Sequence, residues 1–535
     1  MRRPDLLAPS CRARGADPDR RRAVGVCHAP ASAIVSDSLR SLRARLAEIA
    51  DLKAAAALLE WDQETYMPSG AGSARAAQLG SLYSLAHQRF TDGYVADLVE
   101  AVVPESEVDE ALLRVTRYDL DRATVLPSAH VARFARATAH AREAWKAART
   151  ADNFHLFAPH LQTLIELSRD KAELLAPVVP NQAGPDQVYD ILLDEYEPGA
   201  STSELAAIFE RLRTDLVPFV EAIAATGTPD DSLWQKPYEE EAQWRFGLEV
   251  GEAFGYDLER GRQDRSAHPF STSFSISDVR VTTRIDAENF PTGFFGTLHE
   301  VGHALYEQGI DPAFERTPVA SGTSLGVHES QSRLWENHVG RSRSFWEYWL
   351  PRFKENFPSE DEIDVEDIYR AVNIVRPSLI RVEADELTYH LHVLLRFELE
   401  RALLRGDLAV QDLPAAWNDG MKRYLGMAPP NDADGCLQDI HWSLGALAYF
   451  PTYTLGTLLS AQLFDAATRE LGDIGQQVGS GNYEPLLAWL RENVHRFGRS
   501  KSAAEITTDA TGHGLSAEPW LAYARAKYGA LYDLS

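Results

Sequence analysis

From about residue 37 onward, apolar side chains recur at intervals of three and four. The run "SLRSLRARLAEIADLKAAAALLEWDQETYM" (38–67) shows this, as does "ARFARATAHAREAWKAARTADNFHLFAPHLQTLIELSRDKAELLAPV" (132–178). That period marks one face of an α-helix, so the chain is expected to be mainly α. Helix-ending clusters of Pro, Gly, Asn and Asp fall at "PVVPNQAGPDQ", "EYEPGAS", "GTPDDSLWQKP", "APPNDADG" and "VGSGNYEP". One segment keeps a different period. In "FSISDVRVTTRI" (274–285), Val279, Val281 and Ile285 alternate with Asp278, Arg280, Thr282 and Arg284. Period two with β-branched residues predicts a strand. Its apolar face should pack, while Asp278, Arg280 and Thr282 face solvent or something polar. A small sheet is therefore expected just ahead of residue 296.

The helical pattern that follows, "GTLHEVGHALYEQG" (296–309), sets His299 and His303 four residues apart. Four residues of α-helix advance about 400° and about 6 Å, so the two imidazoles share a face. They can converge on one zinc ion at about 2.0–2.1 Å each. Leu298, Val301, Gly302 and Leu305 form an i, i+3, i+4, i+7 stripe for burial, and Gly302 permits a close neighbour. Glu300 lies about 100° round the helix from His299. It can reach a water on the ion without competing as a ligand, take its proton, and pass it to a leaving group. H-E-x-x-H in this setting is the zinc-peptidase pattern; a chance pair of histidines on a helix is the plain alternative.

Such a site needs a third protein ligand. Glu307 shares the face but sits about 12 Å along the axis from His299, too far to join it. The segment "SGTSLGVHESQSRLWENHVG" (321–340) offers a glycine-broken loop leading into a second helix. His328, Glu329 and Glu336 are all candidates there, and spacing does not choose among them. The same loop holds Gly322-Thr323-Ser324-Leu325-Gly326, the G-x-S-x-G string of serine hydrolases. That elbow requires a buried strand ahead of it, which the polar "DPAFERTPVA" does not supply. Ser324 remains as an alternative nucleophile, against the simpler reading of a flexible loop.

Bulk properties narrow the partners. A chain of 535 residues is expected to form two to four lobes. Its formal charge of -26 argues against nucleic acid or an anionic membrane as main partner. No run of apolar residues is long enough to span a bilayer. Cys11, Cys27 and Cys436 form no C-x-x-C, so neither a disulfide framework nor a thiolate zinc site is supported, and a cytoplasmic setting fits best. Residues 1–36 are arginine-rich and aperiodic, without the apolar centre of a secretory signal. They are expected to be a disordered extension outside the fold, with organelle targeting the lesser alternative.

Six motifs in order give the chain a family resemblance: "HPF" (268–270), "DVRVT" (278–282), "HEVGH" (299–303), "HESQ" (328–331), "IRVEAD" (380–385) and "GCLQDIHW" (435–442). With these, everything after residue 37 resembles the thermostable-type metallocarboxypeptidases of peptidase family M32. "EWDQETYMP" near 60 and "YDILLDEYEPG" near 190 look like that family's N-terminal half. The resemblance implies a mainly α, zincin-like fold with a small sheet beside the metal. Two helical halves, about 37–260 and 261–535, would flank a deep active-site cleft. It implies zinc held by His299, His303 and Glu329, with Glu300 as general base and acid; Co2+ or Mn2+ could replace it. The implied reaction releases single residues from peptide C-termini with broad specificity, proline being a poor case, and the implied assembly is a homodimer. An endo-acting zinc oligopeptidase is the alternative.

A carboxypeptidase must also hold a free carboxylate near its metal, and arginine does so with a forked pair of donors. Arg381 is the first candidate and Arg280 the second; the plain reading of Arg381 is an i,i+4 pair with Asp385. His441 and Tyr453, with Tyr449 as an alternative, are candidate oxyanion donors, against a plain role in aromatic packing. Asp439 could orient a histidine or cap a helix.

Overall fold

The computed structural model describes residues 31–180, 184–227 and 230–534, with side chains from residue 37. The expected 1–36 extension, with Cys11 and Cys27, falls almost wholly outside the described residues. The chain is helical nearly throughout, from the long Ala31–Thr65 helix to the last one, Glu518–Leu531. No helix among the described residues is long and apolar enough to cross a membrane. Cys436 is buried and unbonded to any other cysteine.

Among the described residues three short strands interrupt the helices: β1 (Gly261–Arg265), β2 (Ser271–Ser275) and β3 (Asp278–Thr283). They pair in the order β1-β3-β2, with β3 parallel to β1 and antiparallel to β2. The single strand expected over 274–285 is thus parts of two, broken by a turn at Ile276 and Ser277. Ser277 N–H donates to the Ser275 hydroxyl there (3.1 Å), and Ile276 is buried with the N-terminal helices. The alternation holds where Val279 and Val281 are buried. It fails at Thr282, which was expected to face outward. As part of the central strand it is fully buried, with its hydroxyl accepting from Ser266 Oγ (2.7 Å) and Phe270 N (2.9 Å).

Beside the sheet runs the Phe290–Gln308 helix, which carries both histidines. Asn289 caps its start by accepting from Thr292 N, and Pro291 occupies the first turn, where its missing N–H costs nothing. Thr297 Oγ1 ties it to Thr283 Oγ1 of β3 (2.9 Å). Leu298, Val301, Gly302 and Leu305 are all buried, as their spacing predicts. Gly302 is needed for its size. A Cβ there would stand 2.6 Å from Gln331 O and Ser332 Cα, the backbone of the neighbouring Leu325–Arg333 helix.

Two large apolar cores flank this pair of helices. One gathers Trp145, Phe157, Phe209, Phe397, Trp417 and Trp520. The other holds Phe246, Phe294, Trp335, Trp346 and Leu490. Each draws residues from both sides of position 260. The Pro451–Leu471 helix joins them, giving Leu455 and Leu458 to the first and Leu459 and Leu463 to the second. A helix apolar on opposite sides is one buried all round. Where it crosses the Leu325–Arg333 helix, Gly456 lies directly against Glu329; a Cβ at 456 would overlap Glu329 Cβ and Cγ. Glu329 is therefore clamped between two helices, each brought close by a glycine.

Candidate metal centre

The histidine rings lie edge to face with centroids 4.9 Å apart. Glu329 Oε2 is 3.5 Å from Nε2 of His299 and 3.5 Å from Nε2 of His303. The donor atoms of all three residues lie within 4.8 Å of one another. Around a tetrahedral ion with bonds near 2.0–2.2 Å, neighbouring donors are about 3.3–3.5 Å apart. The donor set and its spacing fit a divalent ion.

The other edges of these groups are held from outside. His299 Nδ1 meets Glu336 Oε2 (3.0 Å), and His303 Nδ1 meets His328 Nδ1 (2.6 Å). Arg333 Nε donates to Glu329 Oε1 (2.7 Å), Arg333 Nη1 to Glu336 Oε2 (3.1 Å), and Arg341 Nη2 to Glu336 Oε1 (3.1 Å). Of the three candidates left open by spacing, Glu329 faces both Nε2 atoms, while Glu336 and His328 stand behind the imidazoles. Glu307, out of reach of His299, bonds His328 Nε2 instead (2.9 Å).

Charge within the cluster is unevenly shared. Burial pushes the Glu300 carboxyl up to about 7, against the pull of the His299 charge. Burial also raises Glu329 and Glu336, but Arg333 above all outweighs it and holds both well below the usual carboxylate range. Burial drives His303 down to about 3, so it is a neutral imidazole with a lone pair to offer. His299 moves upward, because Glu329's charge and the bond to Glu336 outweigh its burial.

On the far side of Glu329 lies a second charged group. Arg333 stacks over Tyr389 (4.9 Å), Tyr389 meets Tyr453 edge-on (5.8 Å), and Arg381 lies over Tyr453 (5.1 Å). Tyr453 Oη is 3.4 Å from His441 Nε2, and the Tyr449 ring packs on both. Burial pushes both phenols up and the His441 imidazole down to about 4, leaving all three uncharged hydrogen-bonding groups at neutral pH.

Arg381 does not pair with Asp385, which accepts from Leu387 N, Thr388 and Arg376 N instead. It donates to Asp439 Oδ1 from Nε (3.0 Å) and Nη2 (2.8 Å), and to Tyr389 Oη from Nη1 (2.6 Å). That engages three of the guanidinium's five N–H bonds. Asp439 neither caps a helix nor orients His441, whose Nδ1 is 3.9 Å away and without a hydrogen bond. It is shared between Arg381 and the fully buried Arg396, whose Nε donates to Oδ2 (2.6 Å). Arg280 is not brought to the histidines. It forks onto Asp278 (2.8 and 2.9 Å) and lies between Trp61 and Phe274.

Ser324 is the N-cap of the Leu325–Arg333 helix, its hydroxyl accepting from Val327 N (3.1 Å). A loop with one helical turn, Pro312–Phe314, precedes it, so the strand a nucleophile elbow requires is not there. The sequence reading missed Arg333, Tyr389 and Arg396. Arg333 carried a usable signal, being four residues past Glu329 on one helix face. The other two carried none.

A helical protein with a sheet beside an H-E-x-x-H helix, and a glutamate facing both histidines from a second helix, has the framework of a metallopeptidase. A profile of the carboxypeptidase Taq (M32) metallopeptidases matches residues 41–528, and the chain belongs to that family. It is 44% identical over 494 residues to thermostable carboxypeptidase 1 of Thermus thermophilus, covering 91% of this chain and 97% of the relative. It is 36% identical to carboxypeptidase 1 of Bacillus subtilis, covering 91% and 97%. Among solved structures, the M32 carboxypeptidase of Deinococcus radiodurans superposes with a TM-score of 0.90 at 40% identity, covering 93% of this chain and all of the other. Membership implies a divalent metal and peptide substrates, and makes this chain a metallocarboxypeptidase.

Proposed function

We propose that the chain trims single amino acids from free peptide C-termini with broad side-chain tolerance and proline a poor case. The carrying observation is the convergence of His299, His303 and Glu329 Oε2 with Glu300 one residue from the first ligand. In this reading those three residues hold zinc, with Co2+ or Mn2+ as substitutes. Zinc bound there supplies a Lewis acid and brings the pKa of its water to about 7. Glu300 takes the proton of the attacking water on its carboxylate and delivers it to the leaving amine nitrogen. His441 and Tyr453 donate to the developing oxyanion, with Tyr449 beside them.

Arg381 keeps two N–H bonds for the substrate carboxylate, and its position against Tyr453 makes it the better anchor than Arg280. The working form is read as a cytoplasmic homodimer, with residues 1–36 an extension to the peptidase domain of 37–535. Mass spectrometry of a peptide ladder tests the reaction: stepwise loss of C-terminal residues is expected, abolished by strong chelator and restored by zinc. Undiminished cleavage of a C-terminally amidated peptide would replace this reading with an endo-acting oligopeptidase.

A further inference from the structure

Glu307, His328 and the loop at Gly322 have no part in the reaction as described, yet they are built closely around the back of His303. His328 stands between the other two side chains, its Nε2 2.9 Å from Glu307 Oε1 and its Nδ1 2.6 Å from His303 Nδ1. Glu307 Oε1 also accepts from Gly322 N (3.4 Å). The His328 ring is boxed in. Tyr306 meets it edge-on at 5.1 Å, and a Cβ on Gly322 would stand 2.6 Å from its Cδ2. The Tyr306 hydroxyl in turn accepts from Thr323 N (3.2 Å), fixing the loop that carries Gly322.

We infer that Glu307 and His328 form a relay that sets the tautomer of His303, so that its proton sits on Nδ1 and its Nε2 lone pair points at the ion. This rests on the reading of His303 as a ligand. A carboxylate offers lone pairs only, so the proton between Glu307 and His328 belongs to His328 Nε2. With that as its one ring proton, His328 presents a lone pair at Nδ1. Between two Nδ1 atoms 2.6 Å apart there is room for one proton, and it comes from His303. His303 Nε2, 3.5 Å from Glu329 Oε2, is left as an acceptor for metal. Glu336 does the same for His299 in one step, without an intermediate ring. Glu307 and His328 are positioning residues, since neither touches substrate or metal. Gly322 belongs with them: it supplies a second donor to Glu307 and the space for the His328 ring.

Zinc affinity of the full-length protein, measured by competition with a chromogenic chelator, tests the relay. His328→Phe keeps a ring but removes both nitrogens, and should weaken zinc binding roughly 10- to 100-fold. His328→Gln presents a carbonyl oxygen to His303 and an amide N–H to Glu307, and should recover affinity to within about fivefold of the parent. Gly322→Ala removes no hydrogen-bonding side chain but displaces the His328 ring, and should weaken binding measurably. His328→Phe, which strips buried Glu307 of a partner, should also lower the melting temperature in excess chelator, whereas His328→Gln should melt like the parent, so that the recovery of zinc affinity in His328→Gln carries the relay. Parent-like affinity in His328→Phe, or a His328→Gln no tighter than His328→Phe, would overturn the relay. Parent-like zinc affinity in His303→Ala would instead overturn the ligand assignment, a separate failure.

Discussion

The two charged regions on either side of Glu329 are built by different means. On the ligand side, every group belongs to one of two adjoining helical segments, Phe290–Gln308 or 325–341, and the register of each helix fixes which side chains face each other. On the Arg381 side, Asp439 joins two arginines separated from it by 58 and 43 residues, and no helix face relates any of the three. The ligand side puts its carboxylates where a metal can use them. The Arg381 side sets one carboxylate between two cations, which leaves that group with a net positive charge. One region follows from local periodicity, and the other from long-range charge pairing in a low-dielectric interior.

The sharpest way to test this contrast is to strike the chemistry on the ligand side while leaving its scaffold alone. Glu300→Gln keeps the shape but removes the proton acceptor. Peptidase activity should fall about 10²- to 10⁴-fold with zinc content unchanged by elemental analysis. Retained activity would move the general base elsewhere.

On the other side the equivalent blow should fall on stability. Asp439→Ala leaves Arg381 and Arg396 buried without their shared anion, and should cost about 3–5 kcal/mol in denaturant unfolding, as for other broken buried ion pairs. The sign of its pH dependence is fixed as well. Although burial raises it, the charges of Arg381 and Arg396 hold Asp439 well below the usual carboxylate range. Its contribution is therefore full above about pH 4 and is lost as acid protonates it. Glu400, fully buried, has only neutral direct partners (Tyr189, Trp442 and Ala448 N), and burial pushes it up to about 7. Its native form binds protons more tightly than the unfolded chain, so it removes stability as pH rises from about 4 to about 7. Stability curves of Asp439→Asn and Glu400→Gln against pH should accordingly lose slopes of opposite sign. Parallel changes would show that the two carboxylates are not environmentally distinct.

A smaller effect should come from the glycines that clamp the ligand helix. Gly302→Ala drives a methyl into the backbone of residues 331 and 332, and should lower stability by about 1–3 kcal/mol, with weaker zinc binding as Glu329 shifts. An unchanged variant would mean the helices slide freely past each other. The smallest effect belongs to Ser324→Ala. Losing an N-cap should cost about 1 kcal/mol in thermal unfolding and leave peptidase turnover in place, the reverse of what a serine nucleophile requires.

These contrasts also explain what could be read from the chain alone. The mainly helical fold, the small sheet and the histidine face were legible because each depends on residues a few positions apart. The break in the strand at Ile276 was not, because that side chain is claimed by a core formed with the N-terminal helices. The choice of Glu329 over Glu336 and His328 depended on how one helix turns against another. The plain alternative for Arg381, a pair with Asp385 suggested by four-residue spacing, does not form, because the charge that satisfies it comes from a distant loop.

By itself, then, the sequence determined the helices, their buried stripes and the two imidazoles with Glu300 between them, since backbone geometry converts spacing directly into direction. Only the tertiary structure decided which carboxylate faces both imidazoles, which groups stand behind each ring, and where the buried arginines find their counter-charge. Those outcomes depend on which segments approach closely enough to exclude water, and in this chain the glycines at 302, 322 and 456 set much of that approach.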